Sequence, residues 1–358
     1  MTKGKKTTAK RFLMVLSTTT LAIALLAGCG KSDNQAQQPA QPGQSQPAPG
    51  ADQNNNAATD PLAQFPPLKV PFTIGAEDAV VEYKDGKLTG KQFETFLRTI
   101  SFFNPQQREM IEAADKTALQ NYVREYTGTI ILASRADAKA KDAASKQSEA
   151  TYAGLKGQYV QMLNNDEANY KKLLETHGLT EEELKNQMTL INSSIEVLKS
   201  SVTEAELNKE YEANKDAYTK ASVRHILIGT EKRKPEEALK LANDLVTRLK
   251  KGEDFAKLAK EFTDDPGSKE TGGLYENADV NDWVPEFKKA ALTQPLNEIG
   301  APVKTDYGYH IIRVEARSKN EEKLRAQALQ VGYDKFLKEE LDKLVTKWNI
   351  PEPTPAKK

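Results

Sequence analysis

Val223-Arg224-His225-Ile226-Leu227-Ile228-Gly229 is the stretch that decides the fold of this 358-residue chain. Its β-branched residues and terminal glycine predict a strand. A second run of the same character lies further along, as Tyr309-His310-Ile311-Ile312-Arg313-Val314. Between the two, Pro235 opens an amphipathic helix that ends at Gly252, and two shorter helical patterns follow. The order strand, three helices, strand predicts a small α/β domain with one sheet.

Each predicted strand carries a histidine. Residues two apart on a strand share a face, so His225 and His310 each share a face with apolar neighbours. A buried imidazole needs hydrogen-bond partners, and the two rings can meet if the strands are neighbours. On this pattern alone, the pair is either a structural tie between strands or part of a site. His177, the third histidine, is interpreted as a polar residue at a helix end because Gly178 follows it.

Helical patterns lie on both sides of this small domain. Further helical runs are predicted over residues 106–132 and 144–177, and after Lys319 a last long helix is predicted to reach about Trp348. Its apolar stripe needs a partner, so we expect the small domain to be inserted between two halves of a helical domain. Three capping boxes predict helix starts, formed by Thr89 with Gln92, Thr180 with Glu183, and Thr203 with Glu206.

The first thirty residues predict an export signal and a lipid anchor. A basic stretch ends at Arg11, an apolar run follows over residues 12–27, and small residues come next. This run of about sixteen residues is shorter than the roughly 20 that a transmembrane helix needs. Leu26-Ala27-Gly28-Cys29 resembles the lipobox, at which bacterial prolipoproteins are cut before a cysteine that carries diacylglycerol. The alternative is an incidental cysteine. Cys29 is the only cysteine, so no internal disulfide can form.

Composition adds a linker and excludes one class of partner. Residues 29–68 are rich in Gln, Pro, Ala, Asn, Gly and Ser, which predicts a disordered linker because so little can be buried. The formal net charge is zero, but five of the 51 basic residues lie within the first 28. The remaining 46 face 51 acidic residues, so nothing in the charge indicates nucleic-acid binding.

The inserted segment resembles parvulin-type peptidyl-prolyl isomerases across nearly all of residues 221–316. The matching runs, in chain order, are Val223-Arg224-His225-Ile226-Leu227, Gly252-Glu253-Asp254-Phe255-Ala256-Lys257-Leu258-Ala259, Asp265-Pro266-Gly267-Ser268, Gly272-Gly273, Val284-Pro285-Glu286-Phe287, Gly300-Ala301-Pro302-Val303-Lys304-Thr305 and Tyr307-Gly308-Tyr309-His310-Ile311-Ile312. With the lipobox, linker and flanking helices, the chain resembles the PrsA-type extracytoplasmic foldases of Gram-positive bacteria. The fold class implied is α+β, with a small parvulin-type domain, an antiparallel-type sheet surrounded by helices, inserted in a mostly helical chaperone domain.

The resemblance implies the site residues one by one. Its catalytic positions fall on His225, Asp265, Thr305 and His310. Substrate-binding positions around the proline ring fall on Leu274, Trp283 and Phe287. No metal and no cofactor are implied, since the reaction rotates an X-Pro bond and breaks no covalent bond. From the residues alone, Asp265 is also a good turn-initiating residue before Pro-Gly, and Trp283 and Phe287 could be ordinary core.

Two departures from the family leave a second function open. Trp283 stands where the family usually has methionine, and Leu274-Tyr275 follows Gly273 where the family usually has Asp-Leu-Gly. An isomerase with chaperone activity is the leading hypothesis, and a non-catalytic holdase with a degenerate parvulin module is the alternative. A solute-binding lipoprotein would need two large α/β lobes, which the long helical runs disfavour. The basic run Lys232-Arg233-Lys234 is interpreted as a solvated loop rather than an anion site.

The expected organisation and setting follow from these hypotheses. The expected segments are a signal peptide (1–28), lipidated Cys29 with its linker (29–68), a helical segment (69–219), the parvulin-type domain (221–316), a C-terminal helix packing on the N-terminal segment (317–350) and a tail (351–358). The expected partners are unfolded or partly folded exported polypeptides with X-Pro bonds, and the membrane through Cys29. A homodimer is left open. The expected location is the outer face of the cytoplasmic membrane of a Gram-positive bacterium, facing the cell wall space.

Overall fold

The computed structural model describes residues 60–354. The predicted signal peptide, Cys29 and most of the predicted linker lie outside the described residues, as does the end of the predicted tail. The described chain divides into two compact units, one formed by residues 60–202 and 329–354 and the other by residues 203–328. A continuous segment is thus inserted into a discontinuous one, and the predicted α+β fold class is confirmed.

The first unit is mostly helical and carries a small sheet. Its elements are β1 (Ala79–Tyr83), β2 (Gly86–Thr89), α1 (Gly90–Phe103), α2 (Gln106–Glu112), α3 (Lys116–Ser134), α4 (Ala138–Met162), α5 (Glu167–Thr176) and α6 (Glu181–Ser201), and after the insertion the end of α11 (Glu321–Glu339), α12 (Leu341–Leu344) and β7 (Val345–Trp348). The strand order is β2-β1-β7, with both pairs antiparallel. Leu329, Tyr333 and Phe336 of the C-terminal segment pack with Ile131, Ile191 and Ile195, so both halves of this unit share one core.

The second unit contains the two predicted strands that carry His225 and His310. Its elements are α7 (Glu204–Ala213), β3 (Thr219–Gly229), α8 (Pro235–Lys250), α9 (Phe255–Phe262), β4 (Leu274–Asp279), α10 (Pro285–Thr293), β5 (Val303–Thr305), β6 (Gly308–Lys319) and the start of α11. The sheet order is β4-β3-β6-β5, and every pair is antiparallel. The two predicted strands are therefore the central, adjacent pair.

Each face of this sheet has its own core. On one face, Ile226, Ile228 and Ile311 pack against apolar side chains of α8 and α9. On the other, Val223, Ile312 and Val314 pack against Phe287 and Ala291 of α10. Both faces are buried because the strands alternate with helices placed on either side.

Local sequence signals account for most helix starts. Thr89, Thr180 and Thr203 each accept a hydrogen bond from the backbone three residues on, and the Gln or Glu there bonds back to the cap. The three predicted capping boxes are confirmed. Pro235 occupies the first turn of α8, where its missing N–H costs no helical hydrogen bond.

Several predicted elements are wrong in extent. The last helix does not reach Trp348, because it stops at Glu339 and residues 345–348 form β7 on β1. The predicted run over 106–132 is two helices broken at 113–115, and the run over 144–177 is two helices broken at 163–166. The linker ends before residue 68, since Leu62 and Leu68 are buried in cores of the first unit. These leucines lie in a proline-rich segment, but burying them in the cores of the first unit removes their apolar surface from water.

Within residues 60–354, no helix combines the length and the apolar character that crossing a membrane requires.

Candidate active site

Two stacked imidazoles form the centre of the candidate site. In the antiparallel pair of β3 and β6, His225 lies opposite Ile312 and His310 lies opposite Leu227, so the histidines are diagonal neighbours on one face. Their ring centroids are 5.6 Å apart and their planes differ by 18°. Both residues are almost fully buried, with 3% and 5% exposure. The sequence-predicted pair therefore meets.

Hydrogen bonds connect this pair to Thr305 on one side and Asp265 on the other. Thr305 Oγ1 lies 2.8 Å from His310 Nε2, and Nδ1 of His310 lies 3.4 Å from Nδ1 of His225. Nε2 of His225 lies 2.9 Å from Asp265 Oδ2. The four predicted catalytic residues thus form one continuous chain of contacts, although they come from a loop and three different strand positions.

The acidic end of this chain determines where the protons lie. An ionised carboxylate only accepts, so His225 Nε2 must carry the hydrogen that it donates to Asp265. The two Nδ1 atoms share one hydrogen between the rings, and Nε2 of His310 pairs with the Thr305 hydroxyl. Every ring nitrogen of the pair therefore has a hydrogen-bond partner.

Burial keeps the imidazole of His310 uncharged. Desolvation by burial is the main cause that lowers the pKa of His310 to about 3, and the nearby His225 adds to it while Asp265 opposes it. A neutral His310 is therefore the form that this site holds at ordinary pH.

The loop after α9 holds Asp265 against the end of β3. The Asp264 N–H donates to Leu227 O at 2.8 Å, and Leu227 N–H donates to Thr263 Oγ1 at 3.0 Å. Asp264 Oδ2 accepts from the Gly229 N–H at 2.9 Å and forms an ion pair with Arg233. The loop is thereby fixed to the strand that carries His225.

Asp265 is surrounded by donors. Besides His225, the hydroxyls of Ser268 and Tyr275 both donate to Asp265 Oδ2, and the Gly267 N–H donates to Oδ1 at 3.2 Å. Burial by itself would raise the pKa of Asp265, but the hydrogen bonds from His225 and Ser268, the charge interaction with His225 and the Tyr275 bond outweigh it and hold the pKa well below its usual range. The carboxylate is ionised, and 15% of its side chain remains exposed.

An aromatic wall stands on the imidazole pair. Phe287 meets His225 and His310 edge to face, at centroid distances of 5.2 and 5.3 Å, and Trp283 packs on Phe287 at 5.0 Å. Phe287 is buried whereas Trp283 is only partly buried. Phe287 therefore joins the floor of the site, and Trp283 belongs to its rim.

One predicted substrate-binding residue is placed elsewhere. Leu274 lies opposite Arg224 in the pairing of β3 and β4, whereas Tyr275 lies opposite Val223 and packs on the core that contains Phe287. Because successive residues of a strand point to opposite faces, Tyr275 and not Leu274 faces the histidines. The prediction that places Leu274 on the same face as Phe287 and the histidines is therefore wrong, and Tyr275 lies there instead.

Sequence reasoning missed two residues of this cluster. Ser268 is fully buried, and its hydroxyl lies 3.0 Å from His225 Nε2 as well as bonding Asp265. The ring of Tyr275 stacks on His225 at 5.3 Å. Ser268 follows Asp-Pro-Gly and was indistinguishable from an ordinary turn residue. Tyr275 would have been found by treating residues 274–279 as a strand with alternating faces.

Two glycines are required by close backbone approaches near the histidines. Gly273 has φ +82°, and a Cβ there would lie 2.3 Å from the carbonyl oxygen of His225. Gly308 has φ +136°, and its Cβ would lie 2.2 Å from Ile228 O. Side chains at either position would displace the strand that carries His225.

Residues 205–318 match the family model described as the PPIC-type PPIASE domain. Curated relatives include the Foldase protein PrsA of Caldanaerobacter subterraneus, 37% identical over 173 residues that make up 47% of this chain and 54% of the relative. The Foldase protein PrsA of Clostridium botulinum is 32% identical over 228 residues, covering 60% of this chain and 63% of that protein. The chain thus spans between about half and just under two thirds of these relatives. The predicted resemblance to PrsA-type foldases with a parvulin-type domain is confirmed.

Among solved structures, the chain is similar to that of the peptidylprolyl isomerase PrsA from Bacillus cereus. It is 23% identical in sequence, covers 77% of this chain and 97% of its own, and superimposes with a TM-score of 0.32.

Proposed function

We propose that this chain, in which residues 205–318 form a PPIC-type PPIase domain, catalyses cis–trans isomerisation of X-Pro bonds and assists the folding of exported polypeptides. The observation that carries the proposal is the continuous hydrogen-bonded chain from Thr305 through His310 and His225 to Asp265. A scaffold that merely tied two strands together would not require an ionised carboxylate held by three side-chain donors at the exposed end of that chain.

The chemistry asked of such a site is modest. Uncatalysed rotation about an X-Pro bond takes tens to hundreds of seconds because amide resonance must be broken. A catalyst must therefore bind the twisted amide better than the planar one. In the twisted state the carbonyl oxygen loses negative charge, so a fixed carboxylate near that oxygen disfavours the planar form in relative terms. Asp265 is the only group of the four-residue chain with the charge for this role.

The other residues of the site have supporting roles. His225 and His310 are both buried, and burial keeps His310 neutral, so the pair serves as a rigid floor rather than as a proton relay to substrate. Phe287 closes this floor, and Trp283 and Tyr275 provide a partly exposed aromatic rim on which a proline ring can pack. An apolar rim also removes water from the amide, which favours its less polar, twisted form.

The wider setting rests on the sequence. The lipobox-like Leu26-Ala27-Gly28-Cys29 supports cleavage before Cys29 and attachment of diacylglycerol there. Two acyl chains suit stable anchoring, since one chain holds a protein to a bilayer only marginally. The clients would be unfolded or partly folded exported chains, met at the outer face of the cytoplasmic membrane.

The anchor has a direct test. Cells fed a radiolabelled fatty acid should label the parent chain and not a Cys29→Ser variant, and only the parent should sediment with membranes. Equal labelling of both chains would remove the lipid-anchor proposal while leaving the isomerase proposal untouched.

The activity is tested by NMR exchange at the Ala-Pro bond of a short peptide, with the full chain as catalyst. The parent should accelerate exchange, and Asp265→Ala and Phe287→Ala should each reduce the acceleration by about tenfold or more. Lys250→Ala, an exposed position at the end of α8, is the matched control and should behave as the parent.

The holdase alternative predicts a different pair of results. A folded parent that leaves exchange unchanged, yet suppresses aggregation of unfolded chains whether or not they contain proline, would be a holdase. The solute-binding alternative loses its structural basis for residues 60–354, whose two sheets have only three and four strands.

A further inference from the structure

Tyr275 contacts two members of the hydrogen-bonded chain that runs from Thr305 to Asp265. Its ring stacks on His225 with centroids 5.3 Å apart and planes 25° from parallel. Its hydroxyl donates to Asp265 Oδ2 at 2.8 Å. One side chain thus touches the imidazole and the carboxylate of the same hydrogen bond.

The donors on Asp265 are distributed unevenly. Oδ2 accepts from three side-chain donors, Nε2 of His225 and the hydroxyls of Ser268 and Tyr275, whereas Oδ1 accepts only from the Gly267 backbone. The backbone and Ser268 come from the same turn as Asp265. Tyr275 comes from β4, so it is the donor that ties the carboxylate to the sheet besides His225.

Ordinary packing does not account for the phenol. The ring of Tyr275 would fill its place against Phe287 and Val223 equally well as phenylalanine. A hydroxyl placed at hydrogen-bond distance from a half-buried carboxylate has a specific consequence. It holds one carboxylate oxygen on His225 and leaves the other turned toward the turn backbone.

We infer that Tyr275 is a positioning residue for isomerisation, whose hydroxyl holds Asp265 in its ionised form and in the orientation that engages His225. This inference rests on the proposed function. Asp265 accepts hydrogen bonds from two donors outside its own turn, the imidazole of His225 and the phenol of Tyr275. Without the phenol, the carboxylate keeps His225 as its only tie to the sheet and gains freedom to rotate toward solvent.

The first measurement is the titration of Asp265 itself in the full chain, by NMR of carboxyl carbons with ¹³C-labelled aspartate. In Tyr275→Phe the ring and its stacking remain and only the donor is lost. Because a hydrogen bond to a charged group favours the ionised form, the titration midpoint of Asp265 should rise by about 1 pH unit. Tyr309→Phe, on the opposite face of β6, is the matched control and should leave the midpoint unchanged.

The second measurement is the Ala-Pro exchange rate at pH 7. Tyr275→Phe should lower kcat/KM about threefold to tenfold, because one hydrogen bond in the transition-state site is lost. Tyr275→Leu, which also removes the stacked ring, should lower it further. Tyr309→Phe should match the parent.

The two measurements separate the inference from the proposed function. A raised midpoint together with a parent that does not catalyse exchange would retain Tyr275 as the support of Asp265 but overturn its role in isomerisation, together with the proposed function. An unchanged midpoint in folded Tyr275→Phe would overturn the inference even if the parent is an active isomerase. A raised midpoint with an unchanged rate would likewise overturn it.

Discussion

The two faces of the four-stranded sheet are formed by the same strands but bury side chains of different chemistry. One face is aliphatic, where Ile226, Ile228 and Ile311 meet α8 and α9. The other buries two imidazoles and the hydroxyls of Thr305 and Ser268 beside Phe287, with the half-buried carboxylate of Asp265 next to them. Alternation along β3 places His225 next in sequence to Ile226 and yet on the other side of the sheet.

The two faces therefore contribute in different ways to the stability and to the proposed activity of this unit. The aliphatic face stabilises the unit mainly by removing apolar area from water. The polar face must pair every buried donor and acceptor, because each one left unpaired costs about 1–3 kcal/mol. Substitutions on the two faces should therefore affect stability alike but activity differently.

The sharpest comparison uses a phenylalanine from each face. Phe255→Ala and Phe287→Ala each remove a side chain that is less than 5% exposed, and each should cost about 3–5 kcal/mol in free energy of unfolding. Only Phe287→Ala should abolish Ala-Pro exchange by the molecules that remain folded. Unfolding of this unit can be followed by Trp283 fluorescence in a Trp348→Phe background, since these are the only two tryptophans.

If either alanine variant is too unstable to assay, the Phe→Leu pair serves, because leucine leaves a smaller cavity than alanine and destabilises less. Equal loss of activity in both leucine variants would break the proposed separation between the faces.

Acid should act on the polar face alone. His310 has an ordinary pKa of 6.5 when unfolded and a folded pKa lowered to about 3, so the unfolded state binds more protons between these values. The stabilisation is fully present above pH 6.5 and is lost as the pH falls toward 3. Between pH 7 and 5 this amounts to about 2 kcal/mol.

The lowered pKa of Asp265 contributes nothing in that window, since its effect begins below its ordinary value of 3.8. Denaturant unfolding at both pH values should show the loss in the parent and a smaller one in His310→Gln. Identical losses in the two proteins would contradict a neutral, buried His310.

A smaller effect is expected at the far end of the hydrogen-bonded chain. Thr305→Val keeps the shape but removes the hydroxyl that pairs with His310 Nε2, leaving a buried ring nitrogen without a partner. The expected cost is about 1–2 kcal/mol, whereas Thr305→Ser should cost less because it keeps the hydroxyl. Equal destabilisation by valine and serine would show that the methyl group, and not the hydrogen bond, matters there.

The smallest effect is expected from the basic loop. Arg233 is already paired with Asp264, which leaves Lys232 and Lys234 as exposed or partly exposed charges. Lys232→Gln with Lys234→Gln should change Ala-Pro exchange by less than about twofold, since surface charges contribute little. A phosphoserine before the proline should bring no gain in rate over alanine for the parent. A large gain that the double variant loses would contradict the interpretation of this run as a solvated loop.

The sequence was most informative where a residue has one physical reason to be where it is. The capping boxes, Pro235 and the two central strands were predicted because each depends on local contacts or a clear apolar pattern. The strands that the sequence patterns do not predict, β2, β4, β5 and β7, all lie at sheet edges. An edge strand needs little burial, so Glu276 and Asn277 do not alternate with apolar residues, and Val345 to Trp348 continued a helical spacing.

The site was predictable in its residue types but not in its finer geometry. His225 and His310 were paired correctly because alternation on adjacent strands determines their face. The prediction of Leu274 is wrong because the register of β4, which includes an irregularity opposite Ala221 and Val223, cannot be derived from sequence. Ser268 was missed because its role depends on a turn that folds its hydroxyl back onto Asp265.

The pairing of β1 with β7 also dictates an order of events during synthesis. Val81 lies opposite Trp348, so the small sheet of the first unit cannot be completed until residue 348 has been synthesised. Residues 203–328 are continuous and have all their strand partners available much earlier. Contacts that close such long loops form slowly. We therefore expect the inserted domain to reach its native state first. The helical unit that flanks it in sequence cannot complete its sheet until β7 has been synthesised.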